Sequence, residues 1–261
     1  MSTVGDSSSL LQKARLSVEA GVPAVLVTVV RGNGVGSRLL WTPDFTEGSL
    51  GDADLDQAAS ALAERSLASG TSGIQPLTEG VDVFIDLHRL PPLLVIIGAV
   101  HVAQALVPFA EALGYRIAVV DARAALATRE RFPSVDDLIV AWPDDAYPDL
   151  PIDADSSIVI LTHDPKFDEP AILGALRTQA GYIGAVGSRK TNQDRRQRLL
   201  DAGVSEADLA RLHGPIGLNI GGKSPEEMAI SILAEIIAVR NGRSGGFLRD
   251  ASGGIRGSAD A

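Results

Sequence analysis

The chain has 261 residues, with 33 acidic side chains against 23 basic ones and a net charge of −10, which excludes a general nucleic-acid binder because phosphate backbones are met by a basic face. A hydrophobic fraction of 45% is enough for a packed core, and no apolar run reaches the length of a membrane span. Cysteine is absent, which excludes disulfides, thiolate nucleophiles, zinc–cysteine sites and iron–sulfur clusters.

No basic flank and apolar stretch mark Met1–Ser9 as a signal peptide, so a cytoplasmic protein is expected. Ser7–Ala20 reads as a short helix. Ala24–Val30 is a β-branched strand joined to a second strand, Arg38–Thr42, by a hairpin containing Gly32, Gly34 and Gly36. Asp54–Leu67 has helical spacing and Val81–Asp86 is a strand. Pro91 and Pro92 cannot continue a regular ladder, which predicts a boundary near Leu90 between a smaller α+β domain (1–90) and a second domain (91–242).

The second domain alternates strands with helices. Leu93–Ile97, Arg116–Val120, Asp137–Ala141, Ser156–Leu161 and Tyr182–Val186 are the strands. Val102–Leu113, Glu169–Thr178, Lys190–Ala202 and Pro225–Arg240 are helices, and another is expected to begin within Ala122–Glu130. Apolar strands joined to such helices by short loops define a Rossmann-like, doubly wound parallel sheet. Residues 243–261 read as a flexible Gly/Ser/Arg tail. The basic residues are mostly arginine, with Lys13, Lys166, Lys190 and Lys223 the lysines, a bias that reads as genomic base composition.

Ligands of such sheets lie beyond the carboxyl ends of the strands. Gly98-Ala-Val100-His101-Val-Ala103 follows the first strand and matches a dinucleotide turn at Gly98 and Ala103. Val100 stands where a second glycine lets the backbone approach a pyrophosphate, and its side chain is expected to obstruct that approach. Asp121 closes the second strand, about twenty residues on, where a carboxylate can accept a ribose hydroxyl. A turn retained for packing alone is the competing reading. Arg123, the Thr162-His163-Asp164 cluster and Gly187-Ser188-Arg189-Lys190-Thr191 lie at other strand ends. The last combines helix amides, a hydroxyl and two cations suited to a phosphate, or is simply a capped helix start. His101, His163 and His213 have no tight ligand spacing, so no metal site is assigned.

The order of these motifs resembles a known family. Leu93–Ala103, Val120-Asp-Ala-Arg123, Arg131-Phe-Pro133, Leu161-Thr-His-Asp164, Tyr182–Arg189 and Pro215-Ile-Gly-Leu-Asn-Ile-Gly221 with Ser224-Pro-Glu-Glu227 are similar to the xanthine dehydrogenase accessory proteins of the XdhC/CoxI type. Ala24–Val30 and Gly48-Ser-Leu-Gly51 resemble that family's N-terminal domain. The resemblance implies a chaperone that binds the molybdenum cofactor, as molybdopterin or its dinucleotide form. It implies delivery to a molybdenum hydroxylase such as xanthine dehydrogenase, a cysteine desulfurase as a further partner, and a homodimer. The contacts would fall on Gly98, Val100, His101, Ala103, Asp121, Arg123, His163, Asp164, Gly187, Ser188 and Arg189. The chain departs from the family at two ligand-facing places: Val100 replaces the usual glycine, and the usual Gly-Gly-Cys step reads Gly48-Ser-Leu-Gly51-Asp52. An NAD(P)-dependent oxidoreductase and a cofactor-free partner of xanthine dehydrogenase are the alternatives.

Overall fold

The computed structural model describes residues 4–162 and 164–251, which fall into two compact units, Met1–Leu90 and Pro91–Ala261.

The first unit runs α1 (Val4–Glu19), β1 (Ala24–Arg31), β2 (Arg38–Trp41), β3 (Thr46–Ser49), α2 (Ala53–Ser69), β4 (Gly73–Thr78) and β5 (Val81–His88). Its antiparallel sheet has the order β3-β2-β1-β5-β4. Alternation along β1 sends Val25, Val27 and Val29 to one face, where they pack with Val83 and Ile85 against Ala59, Leu62 and Ala63 of α2. Leu26 goes to the other face and joins Leu40 and the α1 residues Leu10 and Ala14. Asp52 caps α2 by accepting from the Leu55 N–H at 2.9 Å, and Gly70 ends it in the left-handed conformation. A shallow groove of about 290 Å³ on the α1 face is lined by residues including Leu11, Thr28, Val30, Phe84 and Asp86. The Gly48–Gly51 stretch places Leu50 in the core, its N–H held by Asp56 Oδ1 at 2.6 Å. Sequence reading misses β3 and β4. The first is short and polar, and the second is an edge strand interrupted by Pro76.

The second unit contains β6 (Leu93–Ile97), α3 (His101–Ala112), β7 (Arg116–Val120), β8 (Asp137–Ile139), α4 (Pro143–Ala146), β9 (Ser157–Ile160), α5 (Pro165–Leu176), β10 (Tyr182–Ala185), α6 (Arg189–Asp201), α7 (Glu206–Leu209), β11 (Leu212–His213) and α8 (Pro225–Arg240). All six strands are parallel in the order β11-β10-β9-β6-β7-β8. Read from β8, this is the Rossmann order, with its reversal between β6 and β9. Leu94, Ile96, Val119 and Val159 face α3 and α8. Val95, Ile97, Ala118 and Ile158 face α4 and α5, so helices cover both sides.

Three local differences from the sequence reading have physical causes. No helix forms in Ala122–Glu130. Instead, residues 122–135 form successive turns and bends that bury Ala127, Phe132 and Val135 in the α3 side of the core. Arg131 donates to the Leu126 carbonyl at 2.8 Å, which a continuing helix would have used internally, and Arg129 reaches forward to the Val135 carbonyl at 2.6 Å. Second, α5 begins at Pro165 rather than near Glu169, because Asp164 caps it and Pro165 suits the first helical position. Third, α4, α7 and the two-residue β11 are too short to leave a periodic signal.

Residues 252–261 of the expected tail lie outside the described residues. Within 243–251, Leu248–Asp250 forms a single 3₁₀ turn, and Gly245 approaches Leu218 closely enough that an added Cβ would sit 2.7 Å from its Cδ1. Among the described residues, no helix is long and apolar enough to cross a membrane.

Candidate functional site

The strand reversal between β6 and β9 is where this topology opens a crevice, and the Gly98 turn forms one wall of it. Gly98 has φ +105°, a left-handed conformation, and a Cβ there would meet Thr162 Cγ2 at 3.0 Å. Its glycine is therefore demanded by both backbone and room. Val100 is different. At φ −93° its backbone suits any residue, and its half-buried side chain packs against the core cluster around Leu94 and Leu106.

Val100 occupies the N-cap of α3 and offers no side-chain bond to the first turn. The leading amides of that helix consequently lack the internal acceptor that Ser, Thr, Asp or Asn would provide. His101 is exposed at the first helical position, and Ala103 is buried where α3 meets the sheet.

Asp121, only 4% exposed, is fully engaged within the protein. Its Oδ2 accepts from the Ala99 N–H at 2.8 Å and from Arg123 Nη2 at 2.7 Å. Its Oδ1 accepts from the Arg123 N–H at 2.9 Å and from Arg123 Nε at 2.8 Å. A carboxylate has about four lone-pair sites, so a ligand hydroxyl would have to displace one of these donors. Burial pushes the carboxyl pKa upward, but the bonds from the Arg123 side chain and from the Arg123 and Ala99 amides outweigh it and hold the group below 3.8.

Arg131 fastens the turn from the other side. It donates to the Ala99 carbonyl at 2.8 Å and to Gln104 Oε1 at 2.8 Å, joining the 121–136 loop to α3. Sequence reading identifies Arg131 as a motif residue without this role; Gln104, on the same helix, carries no signal of its own.

Against the Gly98 turn, Thr162 donates to Asp168, which receives Arg195 Nη2 at 2.6 Å on its other oxygen. Arg195 is 1% exposed and also bonds the Val186 carbonyl at 3.0 Å and Asn192 Oδ1 at 2.7 Å. This buried pair fixes the ends of β9 and β10 and the start of α6. Its members are hidden in sequence because Arg195 stands among several exposed charges of a polar helix. His163 lies outside the described residues, and Asp164 spends Oδ1 on the Lys166 N–H at 3.0 Å.

The Gly187–Thr191 turn starts α6 as a capped helix. Ser188 Oγ accepts from the Thr191 N–H at 3.0 Å, and the Ser188 and Thr191 hydroxyls lie 2.8 Å apart. Arg189 and Lys190 are exposed beside it. The Pro215–Gly221 loop is secured to two elements. Ile216 donates to the Ala185 carbonyl at 3.1 Å, and Glu235 Oε2 of α8 accepts from the Gly217 N–H at 2.8 Å and the Tyr182 hydroxyl at 2.5 Å. Burial, then the hydrogen bond and charge of Glu235, push the Tyr182 phenol above its ordinary value, so it stays a proton donor. Among the described residues, no group of three His, Asp or Glu side chains is placed to hold a metal ion.

The six parallel strands in this order, with a glycine turn after the first of them, place the second unit in the Rossmann fold class. Comparison with known proteins gives the family. Residues 94–236 match the model of the XdhC Rossmann domain, and residues 17–78 match that of the XdhC and CoxI family. The chain belongs to this family.

An uncharacterized protein of Escherichia coli K12, YqeB, is 37% identical over 169 residues, covering 64% of this chain and 31% of that protein. A probable xanthine dehydrogenase subunit of Bacillus subtilis is 31% identical, with 61% of this chain and 46% of the relative covered. The molybdenum cofactor insertion chaperone PaoD of Escherichia coli K12 is 32% identical over 89 residues, covering 34% of this chain and 28% of the chaperone. The chain thus matches less than half the length of these curated relatives. A crystal structure described as a xanthine dehydrogenase from Bacillus halodurans shares the fold, with TM-score 0.68 and 24% identity over 88% of this chain and 66% of that one.

Proposed function

We propose that the chain is an accessory protein for a molybdenum hydroxylase such as xanthine dehydrogenase, holding the molybdenum cofactor before its insertion. The observation that carries this reading is the start of α3 at the strand reversal, where Val100 supplies no side-chain acceptor to the first-turn amides. Such a place favours the phosphate of a molybdopterin or of its dinucleotide form. The relatives named for xanthine dehydrogenase and for molybdenum cofactor insertion support the same choice of ligand and client.

The donor set fits the organic and phosphate parts of the cofactor better than its metal. The sequence has no cysteine, and the described His, Asp and Glu residues form no metal-binding group. Gly98 keeps the turn close to Thr162, the α3 amides receive phosphate, and Arg123 and Arg189 supply positive charge. Asp121 acts on the ligand through Ala99 and Arg123, by holding the amide turn and the guanidinium in place. When bound, the cofactor brings the molybdenum centre that the hydroxylase requires. Sulfur reaches it from a separate cysteine desulfurase, since this chain has no thiol to carry a persulfide. The same reading takes the chain as a cytoplasmic homodimer.

Calorimetric titration with isolated molybdenum cofactor, mononucleotides, dinucleotides, neopterin and NAD(P) tests this function. Saturable binding of the cofactor is expected, weakened by Arg189→Ala for the cofactor and nucleotides and unaltered for neopterin, which has no phosphate. Binding of NAD(P) alone would favour an oxidoreductase, and no binding to any of them would leave only a role in protein contact.

A further inference from the structure

Trp142 is an unusual residue for the place it occupies. It is the N-cap of α4, directly after the carboxyl end of β8, and its side chain makes no capping bond. Polar side chains are preferred there because they satisfy the first-turn amides, so capping does not account for an indole. Core packing does not account for it either, since Trp142 is 44% exposed.

Its ring lies on Phe167, from the first turn of α5, with centroids 4.5 Å apart and planes inclined by 11°. That contact uses one indole face, so the exposure is carried by the rest of the ring. The Arg123 guanidinium stands 5.7 Å from the Phe167 centroid, within the same small cluster of elements. Arg123 commits Nε and Nη2 to Asp121, leaving Nη1 outside that pair, and its side chain is 46% exposed. Residues following β7, β8 and β9 thus bring together a flat aromatic surface and a fixed guanidinium on the ligand edge of the sheet.

We infer that Trp142, backed by Phe167, is the stacking surface for a planar nitrogen heteroaromatic ring on a phosphate-bearing ligand, with Arg123 Nη1 pairing to its anionic part. This rests on the ligand-binding reading above and adds the residues that receive the ring. Indole is the strongest π-platform among the side chains, and stacking tolerates either a nucleobase or a pterin because both present a flat π-face. Phe167 gives the indole a fixed orientation, so less freedom is lost when a ring settles on it.

The test uses the full chain with AMP, GMP, CMP, neopterin and ribose 5-phosphate as probes. Trp41 and Trp142 are the two tryptophans, so comparison of the parent with Trp142→Phe isolates the signal of Trp142. Ring-bearing probes are expected to quench its fluorescence saturably, and ribose 5-phosphate is not. By calorimetry, Trp142→Leu should weaken ring-bearing probes about tenfold and leave ribose 5-phosphate unchanged, while Trp142→Phe should keep most of the affinity. The nucleotide and neopterin arms then decide whether base or pterin is the preferred ring. Unchanged thermal unfolding of both variants checks that the fold is intact. If Trp142→Leu binds every probe as the parent does, the stacking surface is wrong and the ligand-binding reading stands. If the parent binds none of the probes and no isolated cofactor, both fall together.

Discussion

Two helix starts on the same sheet edge, those of α3 and α6, solve one physical problem in opposite ways. Both follow a parallel strand through a glycine at positive φ, Gly98 or Gly187. In both, the N-cap carbonyl takes the N–H four residues on, Asn192 to Ser188 at 2.9 Å and Gln104 to Val100 at 3.2 Å; at α6 the Ser188 hydroxyl also accepts from the Thr191 N–H. At α3 the corresponding residue is Val100, which accepts nothing with its side chain, while Asp121 and Arg131 brace the turn from both flanks. Residue types that suit a phosphate do not by themselves say which helix start is left without a side-chain acceptor. Gly187–Thr191 carries the hydroxyls and cations, yet the helix left open is the one headed by a valine.

The largest effect is expected at the braces of the α3 turn. Asp121→Asn should cost about 2–3 kcal/mol, since it replaces a charge-assisted acceptor with an amide whose NH₂ faces donors. The Asp121 carboxyl is held below its ordinary pKa in the folded chain, so its stabilisation is present above about pH 4 and is lost as pH falls through the lowered value. Urea unfolding of parent and variant should therefore differ at pH 7 and converge in acid. A gap that persists unchanged below pH 3 would show that the charge is not the source.

Gly98→Ala should cost about 1–2 kcal/mol, from positive φ and the approach to Thr162, and is measured by the same unfolding midpoints. Val100→Ser sharpens the contrast best, because it gives α3 the cap that α6 already has. Stability should rise by about 0.5–1 kcal/mol while affinity for phosphate-bearing ligands falls. Ser188→Ala should do the reverse at α6, losing about 1 kcal/mol of stability with affinity unaltered. If Ser188→Ala changes ligand affinity and Val100→Ser does not, the two helix starts have been assigned the wrong way round. Val100→Gly is the gentlest change. It should strengthen phosphate binding by about 1 kcal/mol, less the entropy of ordering a looser turn.

Much of this architecture is readable in the sequence where one local rule decides the outcome. The buried strands around Ile97 and Val119, the hairpin glycines and the Ser224-Pro-Glu-Glu227 capping box all declare themselves within a few residues. The resemblance in motif order likewise identifies the family before any fold is seen. What escapes is decided by groups far apart in the chain. The Ala122–Glu130 segment has the composition of a helix, but Arg131 claims its Leu126 carbonyl and Phe132, just beyond it, anchors the chain to the core. Asp121 is legible as a strand-end carboxylate, whereas its occupation by Ala99 and Arg123 is a matter of tertiary geometry. Trp142 and Phe167 are 25 positions apart, and no periodicity links them.

The forked grip of arginine on backbone carbonyls has a consequence for chemical probing. Arg211 alone clasps the carbonyls of Leu176, Thr178 and Ala180 at 2.8, 2.9 and 3.1 Å, and Arg131 spans Ala99 and Leu126. A lysine carries its donors on a single nitrogen and cannot reproduce that planar fork, so the scarcity of lysine is built into the architecture as well as into base composition. Dicarbonyl reagents, which attack guanidinium groups, would loosen these clasps and unravel loops remote from any ligand. Loss of binding after such labelling would register a collapsing scaffold, and amine-directed labels on the few lysines are the safer way to mark this molecule.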